Sequence, residues 1–129
     1  MSGANMPSPR RSLGDFGEAA AHAYLLRQGY RILARNWRCS RGELDLVAQD
    51  GDQIVFVEVR TRRSSGPISP EESITPTKRQ RLLRLAMIYL DQSDLPSTSA
   101  CRIDLIAVEV DRQGRVARLD HLISAVEEE

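Results

Sequence analysis

The segment from Gly42 to Arg60 reads GELDLVAQDGDQIVFVEVR and contains two apolar runs that each carry acidic residues. Leu44–Ala48 and Gln53–Val59 have the composition of β-strands, and the residues between them, Asp50-Gly51-Asp52, favour a hairpin turn. The second run is apolar on both faces, which is typical of a central strand covered on each side. Burying a carboxylate in such a strand is costly unless a cation or hydrogen bonds compensate it. The acids therefore indicate either a structural ion-pair cluster or a metal-centred active site.

Apolar residues recur at helical spacing on either side of this hairpin and predict two helices. The first helix is expected to begin at Ser12, which can form a capping box with Asp15, and to end at Gly29. The second is expected to begin at Thr75, an N-cap residue that is followed by Pro76 at the first helical position.

Three further extended segments are predicted at residues 30–37, 101–110 and 115–119. Residues 123–126 are expected either to form a short helix or to stay irregular, and Ser64–Pro70 is expected to be a loop. The order of helix, strands, helix and strands predicts an α/β fold with a central mixed β-sheet flanked by helices.

The length and composition are those of one ordinary globular domain. The chain has 129 residues, of which 41% are hydrophobic and 28% are charged, and this is enough for a hydrophobic core. We expect a disordered N-terminal tail at residues 1–11, a single domain at residues 12–126 and an acidic tail at residues 127–129. The chain shows neither a bilayer-spanning apolar run nor the apolar core of a signal peptide. The sequence therefore predicts a cytoplasmic protein without a membrane partner.

The formal net charge of zero hides an uneven distribution of charge. One segment is strongly basic and contains Arg60, Arg62, Arg63, Lys78, Arg79, Arg81 and Arg84. Arginine carries a planar guanidinium group that suits phosphate oxygens, and the N-terminal part of a helix favours anions. The helix residues Lys78, Arg79 and Arg81 therefore predict contacts with a nucleic-acid backbone, and a solvated charged face is the alternative interpretation.

The acids of the two central strands can converge on one site. Side chains alternate along a strand, so Glu43 and Asp45 share one face, as do Glu58 and Arg60. A simple hairpin register can bring Asp45 and Glu58 together, where they would raise each other's pKa. A Mg²⁺ or Mn²⁺ ion would remove this conflict and keep waters for a substrate phosphate to displace. Such an ion supports phosphodiester hydrolysis, with Glu43 as one candidate to activate the water and Arg60 stabilising the charge on the phosphate.

Other residues with reactive side chains receive no role in this site. Asp104 is interpreted as structural, paired with Arg102 or with a neighbouring strand. The remaining candidates are His22, His121, Cys39 and Cys101. None of them has a partner at the sequence spacing of a metal site or a catalytic triad.

Five motifs occur along the chain and are specific in combination. They are Gly17-Glu18, Gly42-Glu43-Leu44-Asp45-Leu46, FVEVRTR at residues 56–62, ITPTKR at residues 74–79 and RIDLIAV at residues 102–108. Together they resemble the YraN-like proteins, a mostly uncharacterised family placed in the PD-(D/E)XK, or restriction-endonuclease-like, nuclease superfamily. The resemblance covers about Leu13 to Val126 and implies a restriction-endonuclease-like fold for this nuclease-like domain.

The resemblance also implies roles for individual residues. Asp45 resembles the first metal-binding acid of the superfamily, and Glu58 resembles the acid of the (D/E)XK element, with the Val59 carbonyl as a further metal ligand. Arg60 stands where the superfamily usually has a lysine that is credited with positioning or activating the water. Glu18 resembles a helix glutamate that archaeal Holliday-junction resolvases use near the metal.

The implied function is cleavage of nucleic acid with Mg²⁺ or Mn²⁺ as the cofactor. The expected substrate is DNA rather than RNA, and it includes branched or junction DNA. A homodimer would be a natural way to cut two strands. The residues expected to contact the nucleic acid are Arg60, Arg62, Lys78, Arg79 and Arg81. Two alternatives stay open: a non-catalytic nucleic-acid-binding module in which an arginine has replaced the lysine, and a protein–protein adaptor whose acids are structural.

Overall fold

The computed structural model describes residues 9–63, 74–96 and 99–126, with side chains from Leu13 onward. Its helices and strands are α1 (Pro9–Arg27), β1 (Arg31–Cys39), β2 (Gly42–Asp50), β3 (Gln53–Arg63), α2 (Pro76–Gln92), β4 (Ala100–Val110) and β5 (Val116–Val126). Within this part of the chain the strands form a five-stranded sheet in the order β1-β2-β3-β4-β5. Strands β3 and β4 run parallel, and the other neighbouring strands are antiparallel. The predicted α/β fold with a mixed sheet flanked by helices is confirmed, and it is consistent with a restriction-endonuclease-like fold.

The two helices pack on opposite faces of the sheet, as expected because β3 carries apolar residues on both of its faces. On one face, α1 packs against Val55, Val57 and their neighbours in the sheet. On the other face, α2 packs against Ile54 and Phe56. Since successive side chains of a strand point to opposite faces, β3 is covered on both sides. The prediction of a central, doubly covered strand is therefore confirmed.

The start of α2 follows the predicted capping pattern. Thr75 is extended, its hydroxyl accepts a hydrogen bond from the Lys78 amide at 3.1 Å, and Pro76 opens the helix. The cap satisfies one of the amides that a helix leaves unpaired at its N terminus. This helix start sets the direction in which Lys78 projects toward the sheet.

The start of α1 differs from the prediction. The helix begins at Pro9, so Ser12 lies inside it and the predicted capping box of Ser12 and Asp15 is wrong. Proline is favoured in a first helical turn because its φ is already helical and its missing amide hydrogen would be unpaired there. A proline upstream therefore allows an earlier start than the serine suggested. The predicted loop at Ser64–Pro70 and the tail at residues 127–129 lie outside the described residues.

Strand β5 continues to Val126, so the expectation of a short helix or an irregular segment at residues 123–126 is wrong. Val126 pairs with Ile103 of β4 and is buried. The register shifts between Ile103 and Leu105, and Ser124 has a φ of 55°. Such a bulge inserts a residue and breaks the period-two pattern, which is why this end of the strand is hard to recognise from sequence.

A buried polar network joins β4, β5 and α1. Asp104 is fully buried, and its carboxylate lies 2.7 Å from Nε2 of His121 and accepts hydrogen bonds from Nε of Arg102 at 3.0 Å and the Ser124 amide at 2.9 Å. Nδ1 of the same histidine lies 3.0 Å from the Tyr24 hydroxyl. Burial would raise the pKa of Asp104, but the hydrogen bonds from His121, Arg102 and Ser124 outweigh it and hold this pKa below its ordinary value. Asp104 is therefore paired with Arg102 as predicted, and it also contacts His121, for which the spacing along the sequence indicated no role.

Among the described residues, no helix is both long enough and apolar enough to cross a membrane.

Candidate functional site

Asp45 and Glu58 converge at the ends of β2 and β3. The two strands pair from Asp50 opposite Gln53 to Leu46 opposite Val57, and Asp45 and Glu58 are the next residue of each strand beyond this ladder. The amide of Val59 donates a hydrogen bond of 2.8 Å to Oδ2 of Asp45. Burial, and next the negative charge of Glu58, raise the pKa of Asp45 to about 7, although the hydrogen bond from Val59 opposes them. The hairpin thus brings Asp45 and Glu58 close enough to interact electrostatically, as expected for a simple hairpin register.

Glu58 is held by two cations. Its side chain is buried, and Oε2 lies 2.8 Å from Nζ of Lys78 and 3.5 Å from Nε of Arg60. Lys78 reaches this carboxylate from the first turns of α2, where its side chain is only 20% exposed. The sequence predicts that Lys78 contacts the nucleic-acid backbone, whereas the structure brings it to Glu58. No spacing in the sequence shows this contact, because 20 residues separate Glu58 from Lys78.

Glu18 and Glu43 lie beside the same pair and are bridged by an asparagine. With the Asn36 amide turned so that its nitrogen faces the acids, it donates to Oε1 of Glu18 at 2.7 Å and to Oε2 of Glu43 at 3.1 Å. Burial, and next the charge of Glu43, raise the pKa of Glu18. Both glutamates also act on Asp45, whose pKa they raise. All four acids predicted for the site are therefore close enough to interact electrostatically.

Asn36 contacts two of the predicted site acids and was not itself predicted from the sequence. It has a φ of 50° in the middle of β1, and asparagine tolerates this left-handed conformation better than most residues. Asparagine is also depleted in strands. Its occurrence between Arg35 and Trp37, inside a predicted strand, was therefore the feature of the sequence that could have indicated a special role. Glu43 itself is exposed and has a further partner, Nε of Arg38 at 3.5 Å.

The basic residues predicted to bind nucleic acid do not form one surface. Successive helix residues are about 100° apart around the axis, and α2 directs its basic side chains accordingly. Lys78 faces Glu58, Arg79 lines a small hollow with Leu105 and Leu122, and Arg81 is exposed near the β1–β2 turn. Arg62 lies half-buried near the end of β3. The structure thus divides the predicted set among several places.

The donor set at the acidic pair can hold a magnesium-like ion. Among the residues that the structure describes, no group of three or more His, Cys, Asp or Glu side chains is arranged to bind a metal. Asp45 and Glu58 supply two carboxylates, and Val59 supplies a backbone carbonyl. In an extended strand the amide and the carbonyl of one residue point to the same side. Because the Val59 amide donates to Asp45, its carbonyl lies on the side of β3 that faces Asp45. Mg²⁺ is commonly bound by only one or two carboxylates together with waters, and Mn²⁺ accepts the same oxygen ligands.

The position of Glu18 depends on a close approach between α1 and β3. A Cβ atom added to Gly17 would lie 2.7 Å from Cβ and 2.8 Å from Cγ2 of Thr61. Because the Cβ of Thr61 is bonded to the backbone, it cannot move aside by a side-chain rotation alone. We therefore expect Gly17→Ala to lower the free energy of unfolding by about 1–3 kcal/mol, the usual cost of overpacking, as measured by urea denaturation.

Gly14 provides the matched control within the same helix. A Cβ atom added at Gly14 meets no heavy atom within 4 Å, so Gly14→Ala is expected to raise stability by about 0.5–1 kcal/mol through helix propensity. Equal stability of the two alanine variants would contradict the close packing of α1 against Thr61.

Comparison with known proteins assigns the chain to a family. The family described as "Uncharacterised protein family UPF0102" matches residues 17–108, a span that contains all five motifs. A UPF0102 protein of Chloroflexus aurantiacus is 56% identical over 124 residues, which cover 96% of this chain and all of that protein. UPF0102 proteins of Roseiflexus castenholzii and Moorella thermoacetica are 47% and 52% identical, over 95% and 89% of this chain and 99% and 95% of their own lengths. The resemblance to the YraN-like proteins is confirmed, and the chain belongs to the uncharacterised protein family UPF0102.

Proposed function

We propose that the protein is a metal-dependent endonuclease that hydrolyses phosphodiester bonds of DNA, including branched or junction DNA. The observation that carries the proposal is the pairing of Asp45 with Glu58, in which burial and the second carboxylate raise the pKa of Asp45 to about 7. Two adjacent carboxylates, of which Glu58 is buried and Asp45 is half-buried, are unfavourable without a compensating cation. Perturbed acids of this kind are concentrated at functional sites, and a divalent ion with oxygen ligands would make the arrangement favourable.

In this proposal Asp45, Glu58 and the Val59 carbonyl hold Mg²⁺ or Mn²⁺. The ion, when bound, would polarise the phosphodiester and lower the pKa of a bound water. The hydrogen bond from the Val59 amide fixes the orientation of Asp45. Arg60 lies on the same face as Glu58 and would stabilise negative charge on the phosphate, but its guanidinium stays protonated and cannot serve as a base.

Lys78 supplies an ammonium group to the proposed site. Its Nζ is held 2.8 Å from Glu58, and it would take the positioning role that the resemblance gives to a lysine at the position of Arg60. Glu18 and Glu43, joined through Asn36, would support the acidic pair, and Glu43 is the exposed acid that could accept a proton from the attacking water. A cytoplasmic location and a homodimer that cuts both strands of a duplex are parts of the same proposal.

A cleavage assay tests the proposal directly. The purified protein is incubated with single-stranded, duplex and branched DNA in the presence of Mg²⁺ or Mn²⁺, and products are resolved on denaturing gels. We expect cleavage of at least one substrate, and we expect Asp45→Asn and Glu58→Gln each to reduce the rate by about 100-fold or more, the order of loss seen when a key electrostatic group is removed.

Asp91→Asn is the matched control, since Asp91 is an exposed acid near the end of α2. This variant should cut at the wild-type rate. Failure of the wild-type protein to cut any substrate would refute the proposal. So would cleavage that survives unchanged in both site variants.

The second candidate function is nucleic-acid binding without hydrolysis. The observation that favours it is the pairing of Oε2 of Glu58 with both Lys78 and Arg60, which compensates this carboxylate without a metal. This candidate predicts salt-sensitive binding of DNA and no cleavage by either the wild-type protein or Arg60→Lys. Cleavage by the wild-type protein would eliminate it.

A further inference from the structure

Three arginines from two separate elements surround a groove beside α2. The groove encloses about 220 Å³ and is lined by Arg41, Thr77, Gln80, Arg81, Arg84 and Leu85; we call it the arginine groove. Arg41 belongs to the β1–β2 turn, and Arg81 and Arg84 lie one turn apart on α2. All three arginines are exposed, and none forms an ion pair with a carboxylate in the part of the chain that the structure describes.

The groove exists because the β1–β2 turn lies directly against α2. Gly42 has a φ of 147°, and a Cβ atom added there would lie 3.3 Å from Cδ1 of Leu85. This close approach carries Arg41 to the helix face that presents Arg81 and Arg84. Forty residues separate Arg41 from Arg81, so the juxtaposition is a product of the fold.

The chemistry of the groove suits a phosphate group. Three like charges gathered without acidic partners repel one another, and an anion between them would remove that repulsion. Guanidinium groups present planar pairs of donors that match phosphate oxygens. The Thr77 hydroxyl and the Gln80 amide add neutral donors on the same wall.

Residues on both walls of the groove are close in sequence to residues of the acidic site. On α2, Lys78 contacts Glu58 and lies next to Thr77 in the chain. At a rise of about 1.5 Å per residue, Arg81 and Arg84 follow about 4.5 Å and 9 Å farther along the helix axis. On the other wall, Glu43 comes two residues after Arg41. A nucleic-acid strand with its reacting phosphate at Asp45 and Glu58 would therefore find its neighbouring phosphates beside these arginines.

We infer that the arginine groove binds the phosphodiester backbone of the strand next to the scissile bond. This inference rests on the proposed function, because it takes the acidic pair as the place of reaction. It adds Arg41 and Arg84 to Arg81 as backbone contacts. It also places the bound strand along the β1–β2 side of α2.

The test compares two double variants with the same change of charge. Arg41→Ala combined with Arg84→Ala removes two groove arginines, and Arg112→Ala combined with Arg115→Ala removes two exposed arginines of the β4–β5 turn. Affinity for fluorescein-labelled single-stranded and duplex DNA is measured by anisotropy in EDTA, over roughly 50 to 200 mM salt. Circular dichroism confirms that both variants are folded.

We expect the groove variant to bind DNA at least about tenfold more weakly, with the slope of log K against log salt reduced by about 2, or about one for each lost phosphate contact. The turn variant should bind within about twofold of the wild-type protein, as expected for charges that make no phosphate contact. Equal affinities of the two variants would overturn the inference.

The binding and cleavage results separate the groove from the proposed reaction. Loss of binding in the groove variant of a protein that never cuts DNA would support the groove and refute the nuclease proposal. Cleavage by the wild-type protein together with normal DNA binding by the groove variant would refute the groove alone. If the wild-type protein bound polyglutamate but no nucleic acid, the groove would instead be a surface for an acidic protein.

Discussion

Lys78→Met is expected to slow metal-dependent DNA cleavage by about 100-fold, the usual order of loss when one charged group of a preorganised site is removed. The ammonium of Lys78 lies 2.8 Å from Glu58, with a side chain that is mostly shielded from solvent. Methionine keeps an unbranched apolar stem and the helix propensity of lysine and is one heavy atom shorter, so this change removes mainly the charged group. The measurement is the single-turnover rate at saturating Mn²⁺.

Two further variants test whether the effect comes from the positive charge of Lys78 beside Glu58. Arg63→Met removes one positive charge from an exposed position at the end of β3, and its rate should stay close to that of the wild-type protein. Lys78→Arg retains a cation and should recover part of the lost rate. If Lys78→Met cut as fast as the wild-type protein while Asp45→Asn was inactive, Lys78 would be only a structural partner of Glu58.

The acidic pair itself could be predicted from the sequence because its geometry is local. A short turn joins β2 to β3, and strand alternation then determines which side chains share a face. For a simple hairpin register this rule allows Asp45 and Glu58 to meet, and the charge of Glu58 does act on Asp45 in the structure. The start of α2 was equally readable, since Thr75 and Pro76 form a local capping pattern with a known geometry.

The contact between Lys78 and Glu58 could not be predicted in the same way. It depends on the rotation of α2 about its axis and on its position over the sheet, and no short-range pattern specifies either. The partners of His121 escaped for a related reason, because the bulge near Ser124 shifts the register between β4 and β5. Spacing along the chain therefore identified the acids but not the cation that holds one of them.

Asp45→Asn is expected to stabilise the metal-free protein, by an amount that grows with pH. Asp45 has a pKa of about 7 in the folded protein, against an ordinary value of 3.8. The folded state therefore binds the proton more tightly than the unfolded state, and stability falls as the pH rises from about 4 to about 7. Asparagine removes the charge and still offers Val59 an amide oxygen as hydrogen-bond acceptor.

The size of this effect follows from the shift in pKa. At 1.36 kcal/mol per unit, a change of about three units sets an upper limit of about 4 kcal/mol, and residual hydration reduces the expected gain to about 2 kcal/mol at pH 8. Near pH 4 the gain should approach zero, because Asp45 is then protonated in the folded wild-type protein. Urea denaturation in EDTA between pH 4 and pH 8 measures the difference.

Metal ions should reverse this order of stability. An ion that binds only the folded state stabilises it in proportion to the logarithm of its concentration above Kd, so Mn²⁺ should raise the Tm of the wild-type protein and leave that of Asp45→Asn nearly unchanged. Asp91→Asn, at an exposed position, should follow the wild-type protein in both conditions. Destabilisation of Asp45→Asn at pH 8 in EDTA, or an equal response of both proteins to Mn²⁺, would mean that Asp45 is a structural acid. We expect Asp45→Asn to be more stable than the wild-type protein without metal and to lose the response to Mn²⁺. This combination is expected where a protein keeps an unfavourable charge because its function requires it.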